Sequence, residues 1–401
     1  MSEDEGSSPD VLFVSNGHGE DEVGARVGEA LASRRPGLRI AALPLVGLGL
    51  PYERSGIELL DPRRELPSAG LLLHSVPLLM ADLRGGFVGL TLGQIRQLTG
   101  LRCAALVVVG DVYAQLLSNL TRAKSRFVIQ TLVSAYHAQG LAFSKPNRLF
   151  MERITWPERL LMERRFQAVY VRDAATEAAL QKAGLRHTRF LGNPIADRLE
   201  GATPASLEQE RRVVALLPGS RGYRTEALAK MLSALELLSS EGAIGAVAWV
   251  GGQLEPPSGW GLHPPAAEEQ GLIGELRRGT TRALVYEGRF ADVLTSARVV
   301  VGTSGTANEQ AVALGRPVVA FPVPPHYSAS FLANQKRLLG PALAVVAADS
   351  GEVALAVRHW LSDPAIAELA GGQGRARIGG PGGSEAIAAD LLRRSEVGGV
   401  L

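Results

Sequence analysis

The stretch Val299–Pro322, "VVVGTSGTANEQAVALGRPVVAFP", contains one complete strand-to-strand repeat. The β-branched run Val299–Val301 ends in a turn of small residues, Gly302–Thr306, and a helix-like segment follows. Gly315–Pro317 ends that segment, and a second apolar run begins. Continuous apolar runs, as opposed to alternating ones, are typical of parallel strands buried on both faces. The stretch therefore predicts a strand, a helix and a parallel strand.

The same alternation recurs on both sides of this stretch. The apolar runs predicted as strands are Val11–Ser15, Leu38–Leu43, Ala104–Val109, Phe127–Ile129, Ala168–Val171, Arg189–Leu191, Val213–Leu217, Ala246–Val250, Ala283–Tyr286, Arg298–Val301 and Pro317–Phe321. A polar break at Glu200–Arg212 separates two series, as expected for two domains in 401 residues. We expect an α/β fold of two doubly wound, Rossmann-like domains, residues 1–200 and 201–370, with ligands bound at the carboxyl ends of the strands in the crevice between the two halves.

The last segment, residues 371–401, differs in composition from the rest. Gly371–Gly383 holds seven glycines and one proline, and a helical pattern runs from Ser384 to about Arg394. This predicts a glycine-rich hinge and a terminal helix that docks on the first domain.

Composition excludes several classes of protein. The formal net charge is +2 and no block of like charge occurs, which argues against a nucleic-acid partner. Cys103 is the single cysteine, so a disulfide or a cysteine metal site is excluded and a reducing compartment is expected. Residues 1–10 are acidic and polar, unlike the start of a signal peptide, which favours the cytoplasm.

The most apolar long segment, Leu71–Leu92, is interrupted by His74, Asp82, Arg84 and three glycines and cannot be read as a membrane span. It fits a surface that lies on the inner face of the cytoplasmic membrane. It also fits a core helix followed by a glycine-rich turn.

Two loops in the second half suit a phosphate. In Val214–Leu228 a strand ends before a tight loop, whose candidate ligand contacts are Gly219, Ser220, Arg221 and Gly222. Glycines permit close backbone approach, a helix N-terminus offers free N–H groups, and arginine offers a fork of donors. The alternative is an arginine that caps a strand-end loop.

The second loop contributes Ser304, Gly305 and Thr306 at a predicted helix N-terminus, followed by Glu309 and Gln310. Hydroxyls and N–H groups suit phosphate oxygens, and a carboxylate one turn later suits a ribose diol. A capping box formed by Thr306 and Glu309 would explain the same residues without a ligand.

Three segments resemble the lipid-A-disaccharide synthases in sequence and order, and more distantly the N-acetylglucosaminyltransferases that make lipid II. They are "FLGNPIADRL" (Phe190–Leu199), "LLPGSRGYRTEAL" (Leu216–Leu228) and "GTSGTANEQAVALGRPVV" (Gly302–Val319). The resemblance implies an inverting glycosyltransferase of the GT-B type, like family 19, with no metal or other cofactor. It also implies a UDP-sugar donor, such as UDP-GlcNAc, and a hydrophobic or lipid-linked acceptor.

Carried over residue by residue, the resemblance places Gly219, Ser220 and Arg221 at the diphosphate, with Ser304, Gly305 and Thr306 beside it. The family's helix glutamate aligns with Gln310, and Glu309 lies one position earlier, so both are candidates for the ribose. Asn334 and Gln335, in "NQKRL", resemble the family's contacts to the donor sugar. The first 180 residues diverge most, which leaves the acceptor open.

Candidate catalytic groups lie in the first half. Asp111 follows the run "VVVG" and resembles the family's catalytic aspartate, although a helix N-cap fits equally well. His18 and Glu20, in the first strand-to-helix turn, are alternative bases for the acceptor hydroxyl, and a plain turn with helix capping is the other interpretation. Asn16, Gly17 and Asn193 are candidate acceptor contacts. The glycine spacing after Gly17 does not fit a dinucleotide-binding fingerprint.

Two other functions fit the same fold. A UDP-sugar 2-epimerase would need histidines and acids around the sugar, whereas residues 213–340 contain only His263 and His326. A nucleotide-binding protein that has lost its base is the third possibility.

Overall fold

The computed structural model describes residues 8–65, 85–138, 156–220, 222–265, 268–324 and 327–395, without the side chains of His18, Trp156 and Pro157. The chain divides into two compact units. Unit 1 is Met1–Ile195 with Gly382–Leu401, and unit 2 is Ala196–Pro381. The divisions predicted from the sequence fall after residues 200 and 370.

Unit 1 is an α/β unit built on a parallel sheet. Its strands are β1 (Val11–Ser15), β2 (Ile40–Pro44), β3 (Glu58–Leu59), β4 (Arg102–Val109), β5 (Arg122–Gln130), β6 (Ala168–Val171) and β7 (Thr188–Arg189). The helices between them are α1 (His18–Arg34), α2 (Leu50–Arg54), α3 (Phe87–Gly100), α4 (Val112–Ser118), α5 (Ala135–Ala138), α6 (Trp156–Arg165) and α7 (Ala174–Lys182). In the described part of this unit the strand order is 3-2-1-4-5-6-7, with every pair parallel. The order reverses between β1 and β4, as in a Rossmann sheet.

The apolar runs of unit 1 are buried on both faces of the sheet. Along β1, Val11 and Phe13 belong to one core cluster, whereas Leu12 and Val14 belong to the cluster on the other face. Period-two alternation in a strand sends successive side chains to opposite faces, so a continuous apolar run fills both cores.

Unit 2 carries the second sheet. Its strands are β8 (Val213–Leu217), β9 (Ile244–Trp249), β10 (Gly261–His263), β11 (Leu272–Arg278), β12 (Thr281–Glu287), β13 (Val299–Gly302), β14 (Val318–Ala320) and β15 (Leu343–Val345). Its helices are α8 (Arg224–Glu236), α9 (Phe290–Ser296), α10 (Gly305–Ala313), α11 (Ala329–Leu339), α12 (Ser350–Ser362) and α13 (Pro364–Ile378). Among the described strands the order is 10-11-12-9-8-13-14-15. The predicted α/β fold with two parallel-dominated sheets is confirmed.

One edge of unit 2 departs from the parallel strands expected of a doubly wound domain. Strands β10, β11 and β12 pair antiparallel. Arg278 pairs with Thr281, so the chain turns back over Gly279 and Thr280, with Gly279 at φ 58°. A two-residue turn of this kind needs no crossover helix, and the charged sequence of β11 does not resemble a buried strand.

The prediction of a glycine-rich hinge was wrong for residues 371–378, which lie in α13. Their glycines permit close packing. A Cβ atom on Gly371 would lie 1.9 Å from the Gly315 carbonyl oxygen, and one on Gly374 would lie 2.4 Å from the Ala342 Cβ atom.

The terminal helix α14 (Gly383–Arg394) packs on α1 within unit 1. Its Ile387, Ala388 and Leu391 join the core cluster that contains Val27 of α1. No helix among the described residues is long and apolar enough to cross a membrane. Residues 71–84 of the candidate membrane surface lie outside the described residues.

Candidate functional site

The two phosphate-type loops of unit 2 leave neighbouring strands at the same edge of the sheet. Strands β8 and β13 are parallel, with Leu217 in register with Gly302. The strand order reverses between these two strands, and ligands of open α/β sheets bind at such a point, outside the carboxyl ends of the strands.

The first loop is fixed by its glycine and by bonds to the second loop. Gly219 has φ 84°, a left-handed conformation that favours glycine. The Tyr223 hydroxyl donates to the Thr303 carbonyl oxygen at 2.8 Å, and the Thr303 hydroxyl donates to that of Pro218 at 3.1 Å. Arg221 lies outside the described residues.

The second loop leaves the N-terminus of α10 without a side-chain cap. Ser304 is the N-cap residue, and its hydroxyl forms no capping bond. Thr306 is inside the helix, so the capping box of Thr306 and Glu309 was wrong. A Cβ atom on Gly219 would lie 3.9 Å from the Ser304 Cβ atom. Free N–H groups and a hydroxyl thus lie beside a glycine loop, which is an arrangement that binds anions.

Buried hydrogen bonds join the N-terminal part of α10 to Tyr327 and Gln335. The Asn308 side chain donates to the Tyr327 hydroxyl at 2.8 Å and to Oε1 of Gln335 at 3.1 Å. The Tyr327 hydroxyl also donates to Oε1 of Gln335 at 2.7 Å, and Nε2 of Gln335 donates to the Gly305 carbonyl oxygen at 2.9 Å. Gln335, predicted to contact the donor sugar, is 4% exposed and bonded within the protein. The neighbouring Asn334 is partly exposed and accepts a bond from Arg337 at 2.7 Å.

The two ribose candidates differ in burial. Gln310 is 8% exposed, whereas Glu309 is partly exposed. One residue corresponds to about 100° around a helix, so the two side chains cannot share a direction. Of the other loop residues, Gly222 lies in the turn before α8 and Ser220 is exposed.

In unit 1 the first turn of the chain lies where the strand order reverses. Asn16 and Gly17 follow β1, and Gly110 and Asp111 follow its neighbour β4. The two turns are in contact, because a Cβ atom on Gly110 would lie 2.9 Å from the Asn16 Cβ atom.

Asp111 is the N-cap of α4, and its Oδ1 accepts a bond from the Tyr113 N–H at 3.0 Å. Burial raises the pKa of Asp111, while the Tyr113 and Ala114 backbone amides and the Asn16 side chain act in the opposite direction. The capping interpretation describes what the carboxylate does in this structure. Its role in catalysis stays a prediction.

Glu20, another candidate base, is hydrogen-bonded to the segment that follows β5. Its Oε1 accepts a bond from the Thr131 hydroxyl at 3.2 Å, and Arg172 donates to the Thr131 carbonyl oxygen at 2.9 Å. Burial, assisted by the charges of Asp21 and Asp111, raises the pKa of Glu20 to about 7. A base with a pKa near the working pH transfers protons most effectively. His18 begins α1, and its side chain lies outside the described residues.

Asp21, the next residue, is buried and bonded to the strand below it. Its Oδ1 accepts a bond from the Ser15 hydroxyl at 2.6 Å, while its Oδ2 has no hydrogen-bond partner among the described residues. Burial raises the pKa of Asp21 to about 6. The bond holds the start of α1 against the end of β1 and so fixes the turn that carries Glu20.

Asn193 lies elsewhere in the unit and is 6% exposed. Its Oδ1 accepts a bond from the Ile195 N–H at 3.3 Å. Arg26 of α1 donates to the Pro194 and Ile195 carbonyl oxygens at 2.8 and 3.1 Å. The structure therefore gives Asn193 a role in a turn tied to the third turn of α1.

Large apolar side chains are exposed on α3 and on the segment after β2, and we refer to them together as the apolar surface. It consists of Leu48, Leu50, Val88 and Leu92, which are 40%, 52%, 53% and 61% exposed. The buried Gln94 of α3 donates to the Leu45 carbonyl oxygen at 2.9 Å and so holds α3 against the segment after β2.

The helix that carries half of this apolar surface also contacts α4. On α3, the Thr91 hydroxyl lies 3.1 Å from that of Tyr113, and the Phe87 and Tyr113 rings are 6.0 Å apart. Tyr113 is the residue whose N–H binds Asp111, so α3, the helix that carries Val88 and Leu92, contacts the candidate catalytic turn.

Sequence reasoning missed the partners of these candidates. Thr131 and Arg172 follow β5 and β6, at the edge that holds Glu20, and the position after a predicted strand was the signal available for them. Arg224, the first residue of α8, lies over the ring of Trp249 at the end of β9, 4.7 Å from the ring centroid. Arg224 lies within the motif Leu216–Leu228 but was not among the predicted candidates.

No family model matches the chain. The lipid-A-disaccharide synthase of Myxococcus xanthus (strain DK1622) is 24% identical to it over 322 residues, which are 78% of this chain and 74% of the synthase. The calicheamicin glycosyltransferase aligns with a TM-score of 0.61 at 16% identity, covering 97% of this chain and 99% of its own. The UDP-GlcNAc 2-epimerase of Neisseria meningitidis, solved with UDP-GlcNAc, aligns with a TM-score of 0.52 at 12% identity, covering 96% and 100%. The resemblance drawn from the loop motifs is confirmed: the chain has the GT-B fold and is similar to lipid-A-disaccharide synthase.

Proposed function

We propose that this protein transfers a sugar, with inversion, from a nucleotide diphosphate such as UDP-GlcNAc to a hydroxyl of a hydrophobic or lipid-linked acceptor. The glycosyltransferase class is supported by the similarity to lipid-A-disaccharide synthase and by the fold. The observation that carries the proposal is the pair of loops at the reversal point of unit 2, where the uncapped N-terminus of α10 adjoins Gly219.

The donor diphosphate would lie against these loops. The N–H groups of the first turn of α10 and the Ser304 hydroxyl would bind its oxygens, and Arg221 would add a cation. Charge grows on the diphosphate as the bond to the sugar breaks, so donors fixed in advance stabilise the transition state without a metal. Glu309, which is the more exposed of the two ribose candidates, is the better placed to reach the diol.

Unit 1 would supply the base. Glu20 takes the proton from the acceptor hydroxyl, the hydroxyl oxygen attacks the anomeric carbon, and the nucleoside diphosphate leaves from the opposite face. A single displacement inverts the configuration. Glu20 ranks above Asp111 because the Asp111 carboxylate already caps α4, whereas the Glu20 pKa lies close to neutral.

The apolar surface of unit 1 suits a lipid-linked acceptor. Leu48, Leu50, Val88 and Leu92 are too exposed to serve the core, and Arg96 continues the exposed stripe of α3 one turn after Leu92. A cation beside an apolar stripe favours an anionic membrane surface, so contact with the inner face of the cytoplasmic membrane is part of the proposal.

Calorimetric titration with UDP, UDP-GlcNAc and other nucleoside diphosphates tests the donor. We expect UDP and UDP-GlcNAc to bind. If none of the nucleotides binds, the proposal is wrong. Incubation with UDP-GlcNAc alone then separates the glycosyltransferase from a 2-epimerase. Appearance of the epimer without an acceptor would favour the epimerase, and binding without turnover on any lipid-linked acceptor would favour a non-catalytic protein.

A further inference from the structure

A cavity of about 270 Å³ lies in unit 2 among four arginines, Arg211, Arg212, Arg298 and Arg316. We call it the arginine cavity. Arg211 and Arg212 precede β8, Arg298 precedes β13 and Arg316 precedes β14. These strands are parallel, so the cavity lies at their amino ends, at the edge opposite Gly219 and Ser304. A five-residue strand spans about 17 Å, which separates the cavity from the donor loops.

The charge of the arginine cavity is poorly balanced. Glu368 is the one acidic residue in its lining. Arg211 and Arg298 form no ion pair with any described residue, and Arg212 is 3.9 Å from Glu241, which is also bound by Arg358 at 2.7 Å. Some other arginines of unit 2 are paired, since Arg277 lies 2.7 Å from Glu275 and Arg278 lies 3.4 Å from Glu236. The cavity thus brings together arginines that nearby carboxylates neutralise only in part.

Arg316 is the anchor of this group. Its Nη2 donates to the Thr295 carbonyl oxygen at 2.8 Å, which holds the guanidinium, while its buried Nε has no hydrogen-bond partner among the described residues. Burial and the positive charge of Arg298 lower the pKa of Arg316, and Glu368 acts in the opposite direction. Like charges held together around a cavity gain stability when an anion enters.

We propose that the arginine cavity binds a phosphate group, carried by a small phosphorylated molecule, as a site separate from the donor loops. Guanidinium groups match the geometry of phosphate oxygens and bind them in pairs. Trp360 and Pro364 add apolar surface to the lining, and a volume of about 270 Å³ accommodates a phosphate with a short organic group. The first turn of α13 contributes Pro364 and Ala367 to the lining. The Asp363 carboxylate already caps that turn through the Ala365 and Ile366 N–H groups, so the arginines supply the positive charge.

The test compares phosphate binding by the full chain and by single variants. Arg298 is exposed, and among the described residues only its backbone forms hydrogen bonds, so Arg298→Gln should fold normally. It should weaken the binding of inorganic phosphate and of glycerol 3-phosphate about tenfold in calorimetry. Arg316→Gln should do the same. Arg278→Gln, an exposed arginine of β11 outside the cavity, is the matched control and should bind as the unmodified protein does. Thermal unfolding of each variant identifies any loss that comes from misfolding.

The source of the phosphate is settled by a second arm with vesicles. Sedimentation with phosphatidic acid vesicles but not phosphatidylcholine vesicles, lost in Arg298→Gln, would identify a lipid headgroup as the guest. Binding of the free phosphates alone would identify a soluble metabolite, and either result supports the site. Equal binding by Arg298→Gln and the unmodified protein would overturn the proposal. Phosphate binding that is abolished in Gly219→Ala but intact in Arg298→Gln would also overturn the proposal. Absence of binding both to free phosphates and to vesicles would overturn it as well.

Discussion

Leu217 and Gly302 pair in parallel register at the ends of β8 and β13, so the loops that carry Gly219 and Ser304 leave the sheet side by side. A diphosphate placed there meets a glycine backbone on one side and a helix N-terminus on the other. This relationship makes the two loops a single candidate site and gives the donor predictions their geometry.

Substitution of Gly219 should weaken UDP binding. Its φ of 84° is strained for alanine, and relief of that strain would move the loop away from Ser304. We expect Gly219→Ala to raise the Kd for UDP about tenfold, which is about 1.4 kcal/mol. Gly242→Ala, at φ 76° with open space around its Cβ position, carries similar strain far from the loops. Gly242→Ala should be less stable yet keep its UDP affinity in calorimetry. Equal losses of UDP affinity in Gly219→Ala and Gly242→Ala would contradict a local effect at Gly219.

Removal of the Ser304 hydroxyl should affect binding more than folding. The hydroxyl makes no capping bond, so Ser304→Ala should leave the free energy of unfolding nearly unchanged while UDP affinity falls several-fold. Asp349→Ala offers the reverse pattern. Its Oδ1 caps α12 through the Gly351 and Glu352 N–H groups at 2.9 and 3.1 Å, and loss of a cap costs about 1 kcal/mol. Urea unfolding and UDP titration of both variants would reveal whether the two effects separate.

These two loops could be predicted from the sequence because each follows a continuous apolar run and contains its own glycines. The buried hydrogen-bond network that holds them in place could not be predicted. Asn308, Tyr327 and Gln335 meet only in the folded unit, and amide side chains give no periodic signal that distinguishes an internal network from a ligand contact. For the same reason Gln335 was expected at the sugar, while Thr131, which binds Glu20 across 111 positions of sequence, was not expected at all.

The pH dependence of transfer should reveal the base. A carboxylate with a pKa of about 7 is protonated and inactive below that pH, so kcat/KM should rise as the pH rises through 7. Glu20→Gln should remove this limb and most of the activity. His18→Ala and Asp111→Asn are the competing variants, measured over the same pH range. Loss of the limb in His18→Ala, with Glu20→Gln still active, would assign the base to the histidine.

Stability should depend on pH through Asp21. Its pKa in the folded protein is raised from 3.8 to about 6, so the ionised carboxylate costs stability above about pH 6 and the cost disappears as the pH falls below about 4. Asp21→Asn keeps an acceptor for Ser15 and should raise the free energy of unfolding at pH 8 by about 1–3 kcal/mol. The gain should shrink in urea unfolding at pH 5.

The pKa of Asp390 shifts in the opposite direction to that of Asp21. Burial opposes its charge, but bonds from Arg394 at 2.7 Å and Tyr170 at 2.9 Å lower its pKa. The carboxylate therefore stabilises the protein at neutral pH, and that contribution is lost as the pH falls through its low pKa. Asp390→Asn should destabilise unit 1 at pH 7. A similar response of the two asparagine variants would contradict the assigned signs.

The apolar surface should govern membrane contact. Leu92 is 61% exposed, so Leu92→Gln removes apolar area from α3 at little cost to folding, and it should reduce co-sedimentation with anionic liposomes. Leu369, 62% exposed on α13 of unit 2, provides the matched control, because Leu369→Gln removes the same side chain at the same exposure. If both variants sediment like the unmodified protein, Leu92 contacts the acceptor and not the membrane. Transfer assays with lipid-linked and truncated acceptors would then show a raised KM for Leu92→Gln only with the lipid-linked acceptor.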